Sequence, residues 1–255
     1  MLYKITGTRG QFDILSETLD EYTQLYNGHL GCVRSYCLTA FYKRADKTKL
    51  TNQEWLNSIN KVINLIIEEM TYDIKEFGKT NETEEWKERH VKNNSLLCRL
   101  RTILDTDIIY ENNGKVKDKI SFEFDDEELS LLSTICNEMS RMICGQSFST
   151  KCTLTSAWYN IAPRSTDVDD CILRNKLDTY LSVLHTLCWH SADNELDGVN
   201  YDENSDTLFD MHHVFRHALW EDREDDKKSH YTVDAYSSIQ YSKFDLVQVE
   251  RIIDK

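Results

Sequence analysis

The stretch YKITGTRGQFDILSETLDEYTQLYNGHL (residues 3–30) returns, 117 positions later, as ISFEFDDEELSLLSTICNEMSRMICGQS (residues 120–147). Identities are few, but the order of apolar and polar positions is kept. Tyr3 and Ile5 fall on Ile120 and Phe122, Phe12 and Leu15 on Leu129 and Leu132, and Leu19 and Tyr22 on Cys136 and Met139. Polar exceptions recur as well, with Glu21 on Glu138, Gln24 on Arg141, and Gly28-His29 on Gly145-Gln146. The echo continues with small gaps. Ile59, Val62, Ile63, Ile66 and Met70 match Leu177, Tyr180, Leu181, Leu184 and Cys188 at a shift of 118. Leu100, Arg101 and Leu104 match Phe215, Arg216 and Leu219 at 115. This pattern predicts an α+β fold, predominantly helical, made by tandem duplication of a strand-plus-helices unit. A first, degenerate copy spans residues 1–117 and a second spans 118–255, ending in C-terminal strands. Two copies in one chain are expected to pack as a pseudo-dimer, whose seam is a natural ligand cleft.

Local signals place the elements. Residues 2–8 read as a strand and 12–26 as a helix ended by Gly28 and Gly31. Thr51 and Glu54 form a capping box before a helix whose stripe runs through positions 56, 59, 63, 66, 70 and 74 to Phe77 and Gly78. A polar stretch over 79–94 begins another helix, with its apolar part at Leu96–Leu104 and a turn at Asn112–Gly114. In the second copy a strand covers 119–124, and Asp125 or Asp126 caps a helix over 127–143. A further helix covers 168–188, and Ser205 caps one reaching Trp220. The tail, His230–Phe244 and Leu246–Ile253, reads as one or two strands because β-favouring residues cluster there.

Charge and cysteine usage narrow the function classes. A net charge of −14 opposes sequence-independent attachment to nucleic acid or anionic lipid, which rests on many cationic contacts to phosphate. No apolar run approaches the length of a membrane span or a cleaved signal, so a cytoplasmic protein without a membrane partner is expected. The 8 cysteines lack any CxxC pair, which favours reduced core thiols over a disulfide or zinc framework.

Three groups of residues are able to carry chemistry. Glu138, Arg141 and Gln146, with Glu21, Gln24 and His29 as first-copy counterparts, border a buried helix face beside a glycine. On the segment Asp210–His217, His213 and His217 are one turn apart, the spacing of helical zinc sites, with Asp210 a turn earlier. No HExxH is present, however, and the first copy has Cys98 and Thr102 at those places, so no metal or other cofactor is assigned. Arg216 persists as Arg101, and a planar guanidinium suits two-point grip on phosphate or carboxylate. Trp158, Tyr159, Trp189, His190 and Trp220 supply rings able to stack on a base, although such rings more often anchor a core. There is no phosphate-binding glycine loop, no GxSxG and no Cys–His pair in a convincing context, so no catalytic residue is assigned.

At Ser140-Arg141, Gly145-Gln146 and Asp210–Arg216 the second half resembles a group of small phage-encoded accessory proteins. The chain departs from them in being about twice as long and in carrying Thr23, Gln24 and His29 where the first copy should show Ser, Arg and Gln. The resemblance implies a phage origin and an accessory role, with antagonism of a bacterial defence system as the expectation. The leading reading is a non-enzymatic protein that sequesters a nucleotide-derived immune signal of the cyclic-nucleotide or ADP-ribose type. Arg141 and Arg216 would hold phosphates, Glu138 and Gln146 would hydrogen-bond base or ribose, and Trp158 would stack. Alternatives are an inhibitor, including an acidic DNA mimic, that binds a host defence protein, and a metal-dependent hydrolase using Asp210, His213 and His217. Self-association into a homo-oligomer is compatible with each.

Overall fold

Alternating burial along residues 2–8 builds the centre of a small sheet. The computed structural model describes residues 1–49, 51–80, 84–109, 119–144, 168–188, 203–224, 228, 233–235 and 240–252. β1 (Leu2–Thr8) buries Tyr3, Ile5 and Gly7 on one face and leaves Lys4, Thr6 and Thr8 half-covered on the other. β2 (Lys119–Asp125) lies antiparallel to it, with Tyr3 opposite Phe124, Ile5 opposite Phe122 and Gly7 opposite Ile120. β3 (Gln248–Ile252) pairs antiparallel along the other edge of β1, giving the order β2-β1-β3.

The remaining regular structure is helical: α1 (Arg9–Tyr26), α2 (Gly31–Lys47), α3 (Gln53–Thr80), α4 (Glu84–Ile109), α5 (Asp126–Ile143), α6 (Val168–Cys188) and α7 (Glu203–Glu221). The fold is therefore mostly helical with a small antiparallel sheet, of the α+β class. Contacts divide it into two compact units, each drawn from both halves of the sequence. One comprises Met1–Asp20, Ser95–Ser140 and Asp202–Lys255; the other comprises Glu21–Asn94 and Arg141–Tyr201.

In the first unit Phe12, Leu15, Leu100, Leu132 and Phe215 are all fully buried. Phe12 meets Phe122 edge to face at 4.6 Å, the arrangement that aromatic quadrupoles favour. A side chain at Gly7 would be tightly confined, since a Cβ there would lie 3.0 Å from Val247 Cγ1 and 3.2 Å from Phe12 Cε2. α5 opens with a reciprocal capping box. The Glu128 N–H donates to Asp125 Oδ1 and the Asp125 N–H to Glu128 Oε2, both at 2.9 Å. The Glu128 carboxylate is wholly buried, and Arg99 Nε pairs with it at 2.9 Å.

In the second unit α3 packs on α2 and α6, and α2 also packs on α6. Ile63, Ile67, Met70 and Ile74 recur at helical spacing on α3 and face Leu173, Leu177, Leu181 and Leu184 on α6 in kind. Asp73 ties the pair polar side to polar side, accepting from Tyr180 Oη at 2.9 Å and pairing with Lys176 Nζ at 2.7 Å. Arg44 of α2 donates to the Thr186 carbonyl at 3.0 Å, placing a cation at the electronegative end of α6.

Several local expectations are corrected. Gly28, at φ 78, does end α1: its N–H donates to Leu25 O and that of His29 to Gln24 O, both at 2.9 Å, which is a Schellman closure. Gly31 instead opens α2, a helix without a sequence-based forecast. α3 is capped by Asn52 rather than Thr51, its Oδ1 accepting from the N–H groups of Glu54 at 3.0 Å and Trp55 at 3.1 Å. Ser205 lies inside the first turn of α7, and its hydroxyl donates to the buried Ser140 carbonyl at 2.8 Å. Of the one or two strands expected in the tail, that at 246–253 is present as β3, whereas in the described parts of 230–247 Val233–Ala235 forms a 3₁₀ turn and 240–247 has no regular structure. The cause is tertiary: the backbone N–H groups of Tyr241 and Ser242 bond a side chain, Asp210, rather than a neighbouring strand. The Asn112–Gly114 turn lies outside the described residues. Among those described, no helix is long and apolar enough to cross a membrane. Cys32, Cys37, Cys136 and Cys188 are free, buried thiols.

Candidate functional site

Every second-copy candidate on α7 is engaged by a neighbour in the first unit. Asp210 is buried, and its two carboxylate oxygens accept from the backbone of Tyr241 at 3.0 and 3.1 Å and of Ser242 at 2.9 Å. His212 Nδ1 donates to the Ser133 carbonyl at 2.9 Å, which leaves Nε2 to accept from Arg216 Nη1 at 3.4 Å. Arg216 Nη2 donates to His213 Nδ1 at 3.2 Å, and Arg216 Nε stands 3.1 Å from Asp234 Oδ1. Arg223 approaches the other oxygen of Asp234 at 3.6 Å. His217 Nδ1 donates to the Asp234 carbonyl at 2.9 Å, while its ring stacks on Trp220 at 5.8 Å. Arg216, His213 and His217 are thus brought together, as a clasp that holds the Val233–Ala235 turn on α7. The Arg216 charge is already met by Asp234. Asp210, His213 and His217 take separate partners, and among the described residues no group of three His, Cys, Asp or Glu side chains could hold a metal.

The other candidates are more scattered. Glu138 is half-buried and Arg141 exposed on α5, while Gln146, Trp158, Tyr159, Trp189 and His190 lie outside the described residues. Arg101 Nη2 pairs with Asp20 Oδ1 at 2.6 Å, so the counterpart of Arg216 also meets a carboxylate. Glu21 accepts from the Tyr36 hydroxyl. Gln24 and His29 are exposed, their backbones joined in the α1 closure.

A different place in the second unit has the means to hold an anion. α2 starts at Gly31 behind Leu30 with no side-chain cap, so its first-turn N–H groups leave the helix end electropositive. Beside it an open groove of 380 Å³ is lined by Leu30, Gly31, Arg34, Asn64, Ile67, Glu68, Thr71, Tyr72 and Lys75. Arg34 and Lys75 are exposed and make no ion pair among the described residues. Asn64 Nδ2 donates to Asn60 Oδ1 at 3.0 Å, but Asn64 Oδ1 is buried without a hydrogen-bond partner. A stranded acceptor of that kind costs about 1–3 kcal/mol until a donor arrives. A second groove, of 690 Å³, runs along α2 past Gly31, Arg34, Ser35, Leu38, Thr39, Tyr42 and Lys43.

Sequence reasoning missed this site because no motif marks it. Gly31 reads as a helix stop, and Arg34 and Lys75 come together only through the packing of α2 on α3. The one available signal was the series Val33, Cys37, Phe41, Ala45, spaced as a helix but written partly in cysteine and alanine. No protein-family model, curated protein or solved structure matches the chain.

Proposed function

We propose that this chain is a non-catalytic binding protein that captures a small phosphate-bearing ligand in the groove between α2 and α3. The observation that carries the reading is a contrast of charge. In a chain of net charge −14, Arg101 and Arg216 are neutralised by Asp20 and Asp234, whereas Arg34 and Lys75 share one groove and make no ion pair among the described residues. Cations left unpaired beside an uncapped helix N-terminus favour a phosphate, and a guanidinium binds it in two-point fashion. Capture without turnover agrees with the sequence resemblance, and in that setting the ligand is a nucleotide-derived signal of a bacterial defence system.

Duplicated ancestry, with the copies related as a pseudo-dimer, belongs to the same proposal. Its support is the register of β1 on β2. Ile5 faces Phe122, its own counterpart at a shift of 117, while Tyr3 faces the counterpart of Gly7, and Gly7 faces the counterpart of Tyr3. Reciprocal pairing of this kind is what a twofold axis imposes on equivalent surfaces.

Calorimetry of the full chain with pyrophosphate, AMP and ADP-ribose tests the binding reading. Binding that falls about tenfold or more in Arg34→Ala, a loss of about 1.4 kcal/mol, with intact ligand released on denaturation, is expected. No heat from any of the three at millimolar concentration would sink it. Recovery of a cleaved ligand would make the protein an enzyme instead.

A further inference from the structure

We infer that α3 is a dimerisation helix, on which α3 of a second copy of this chain docks antiparallel. The helix carries two apolar stripes. One, made of Ile63, Ile67, Met70 and Ile74, is buried within its own unit. The other, made of Trp55, Val62, Leu65 and Tyr72, is turned away from that core and exposed, Leu65 at 59% and Tyr72 at 62%. Steps of seven, three and seven residues keep these four in one band along the helix. Single exposed apolar residues occur on any surface, but a row of large ones at this spacing is the seam of a helix pair. Trp55 is steadied for that role by Phe41, whose ring lies 5.7 Å from its own.

The spacing reads the same in either direction. A twofold axis at the level of Ile63 and Asn64 therefore sets Trp55 against Tyr72 of the second copy, and Val62 against its Leu65. Charges beside the seam fit the same axis. Glu54, Lys61, Glu68 and Lys75 recur every seven residues along one border, exposed, alternating in sign, and without an ion pair among the described residues. Antiparallel docking brings Lys61 beside Glu68 of the second copy and Glu54 beside its Lys75. The axis repeats each contact, so all four are attractive. Glu69 lies within the seam, where the antiparallel register sets it against Ser58. A parallel register would set it against its own copy, a repulsive contact of like charges. A border of alternating sign matches itself and not a uniformly charged partner. This seam goes beyond the anion-binding reading and does not depend on it. Lys75 also lines the anion groove, so a second copy and a phosphate compete for that ammonium, whereas Lys61, Val62 and Leu65 do not line it.

Sedimentation equilibrium of the full chain over micromolar concentrations is expected to show a monomer–dimer equilibrium. Leu65→Glu places a carboxylate in the apolar seam and should weaken the dimer by about tenfold or more. Lys61→Glu and Glu68→Lys shift the net charge in opposite directions, yet each should weaken the dimer severalfold, and the two together should restore it. The three positions are exposed on a helix, and glutamate and lysine are good helix formers, so the variants keep the fold, which circular dichroism checks. A chain still monomeric at about 100 μM, a concentration at which even weak specific pairs form, overturns the inference. A dimer indifferent to Leu65→Glu overturns it as well, since that dimer would use another face. A dimer broken by Leu65→Glu but unmoved by either charge reversal overturns the antiparallel register.

Discussion

Ile5 of β1 stands directly opposite Phe122 of β2, the residue that lies 117 positions after it in the echoing half of the sequence. Both side chains are buried, at 0% and 2% exposure, so the pair carries the sheet's apolar face at its midpoint. Ile5→Ala is expected to cost about 2–5 kcal/mol and Phe122→Ala about 3–5 kcal/mol in urea unfolding. The double variant should show a coupling of at least about 0.5 kcal/mol. Additive effects would mean that the two positions do not pack on each other.

Gly7 has no room for a branched side chain, since its Cβ direction is filled by Val247, Gln11 and Phe12. Gly7→Val should therefore destabilise by about 1–3 kcal/mol, and Gly7→Ala by less. A Gly7→Val protein as stable as the parent would show that β1 and the segment at Val247 are not packed this closely.

Asp210 has a structural task in place of the metal-ligand role considered for it. In Asp210→Ala the amides of Tyr241 and Ser242 lose their acceptor, at a cost of about 1–3 kcal/mol for a buried donor. Hydrogen exchange at these two amides should accelerate while that of β1 changes little. Unchanged exchange at 241 and 242 contradicts the assignment.

Burial lowers the pKa of His90, whose ring stacks on Tyr26 at 5.1 Å and whose Nε2 lies 2.8 Å from the Asn94 amide. A neutral ring accepts from that amide; a protonated one cannot. Between the lowered folded value and the ordinary value of about 6.5 the unfolded chain binds more protons, so stability falls as the pH drops through this window. Unfolding at pH 7.5 and pH 5 should show a smaller acid loss in His90→Phe than in the parent. An equal loss in both would assign the acid sensitivity elsewhere.

Thiol reactivity should follow burial. The Cys32 thiol is pushed up to about 12, first by burial and then by the nearby Glu21 carboxylate, and Cys136 is raised by burial alone. Cys98 is exposed. Mass spectrometry after brief alkylation of native protein should find Cys98 modified and Cys32, Cys37, Cys136 and Cys188 protected. Labelling of Cys136 at the rate of Cys98 would mean that the core of the first unit opens.

The contrast between α6 and α2 shows what a sequence can disclose. α6 was expected over 168–188 and occupies Val168–Cys188, because leucines every three or four residues mark a helix face without ambiguity. α2 buries a face of the same spacing, but Cys37 and Ala45 dilute its apolar signal and Gly31 mimics a stop. The tail shows the reverse error. Tyr231, Val233 and Tyr241 favour strands, yet Asp210 and the Arg216–Asp234 clasp hold the described parts of that segment as a turn and an irregular run.

By itself the sequence determined the strand-then-helix order of the two echoing segments, an aspartate cap at the start of α5 and the helical character of the chain. Each is written in residues within one or two turns of one another, where propensity and periodicity act. Only the tertiary structure decided which cations are neutralised. Whether an arginine grips a ligand or a neighbouring carboxylate depends on partners far along the chain. Asp234 reaches Arg216, and Asp20 reaches Arg101, while packing of α2 on α3 brings Arg34 and Lys75 to one groove, where neither makes an ion pair among the described residues.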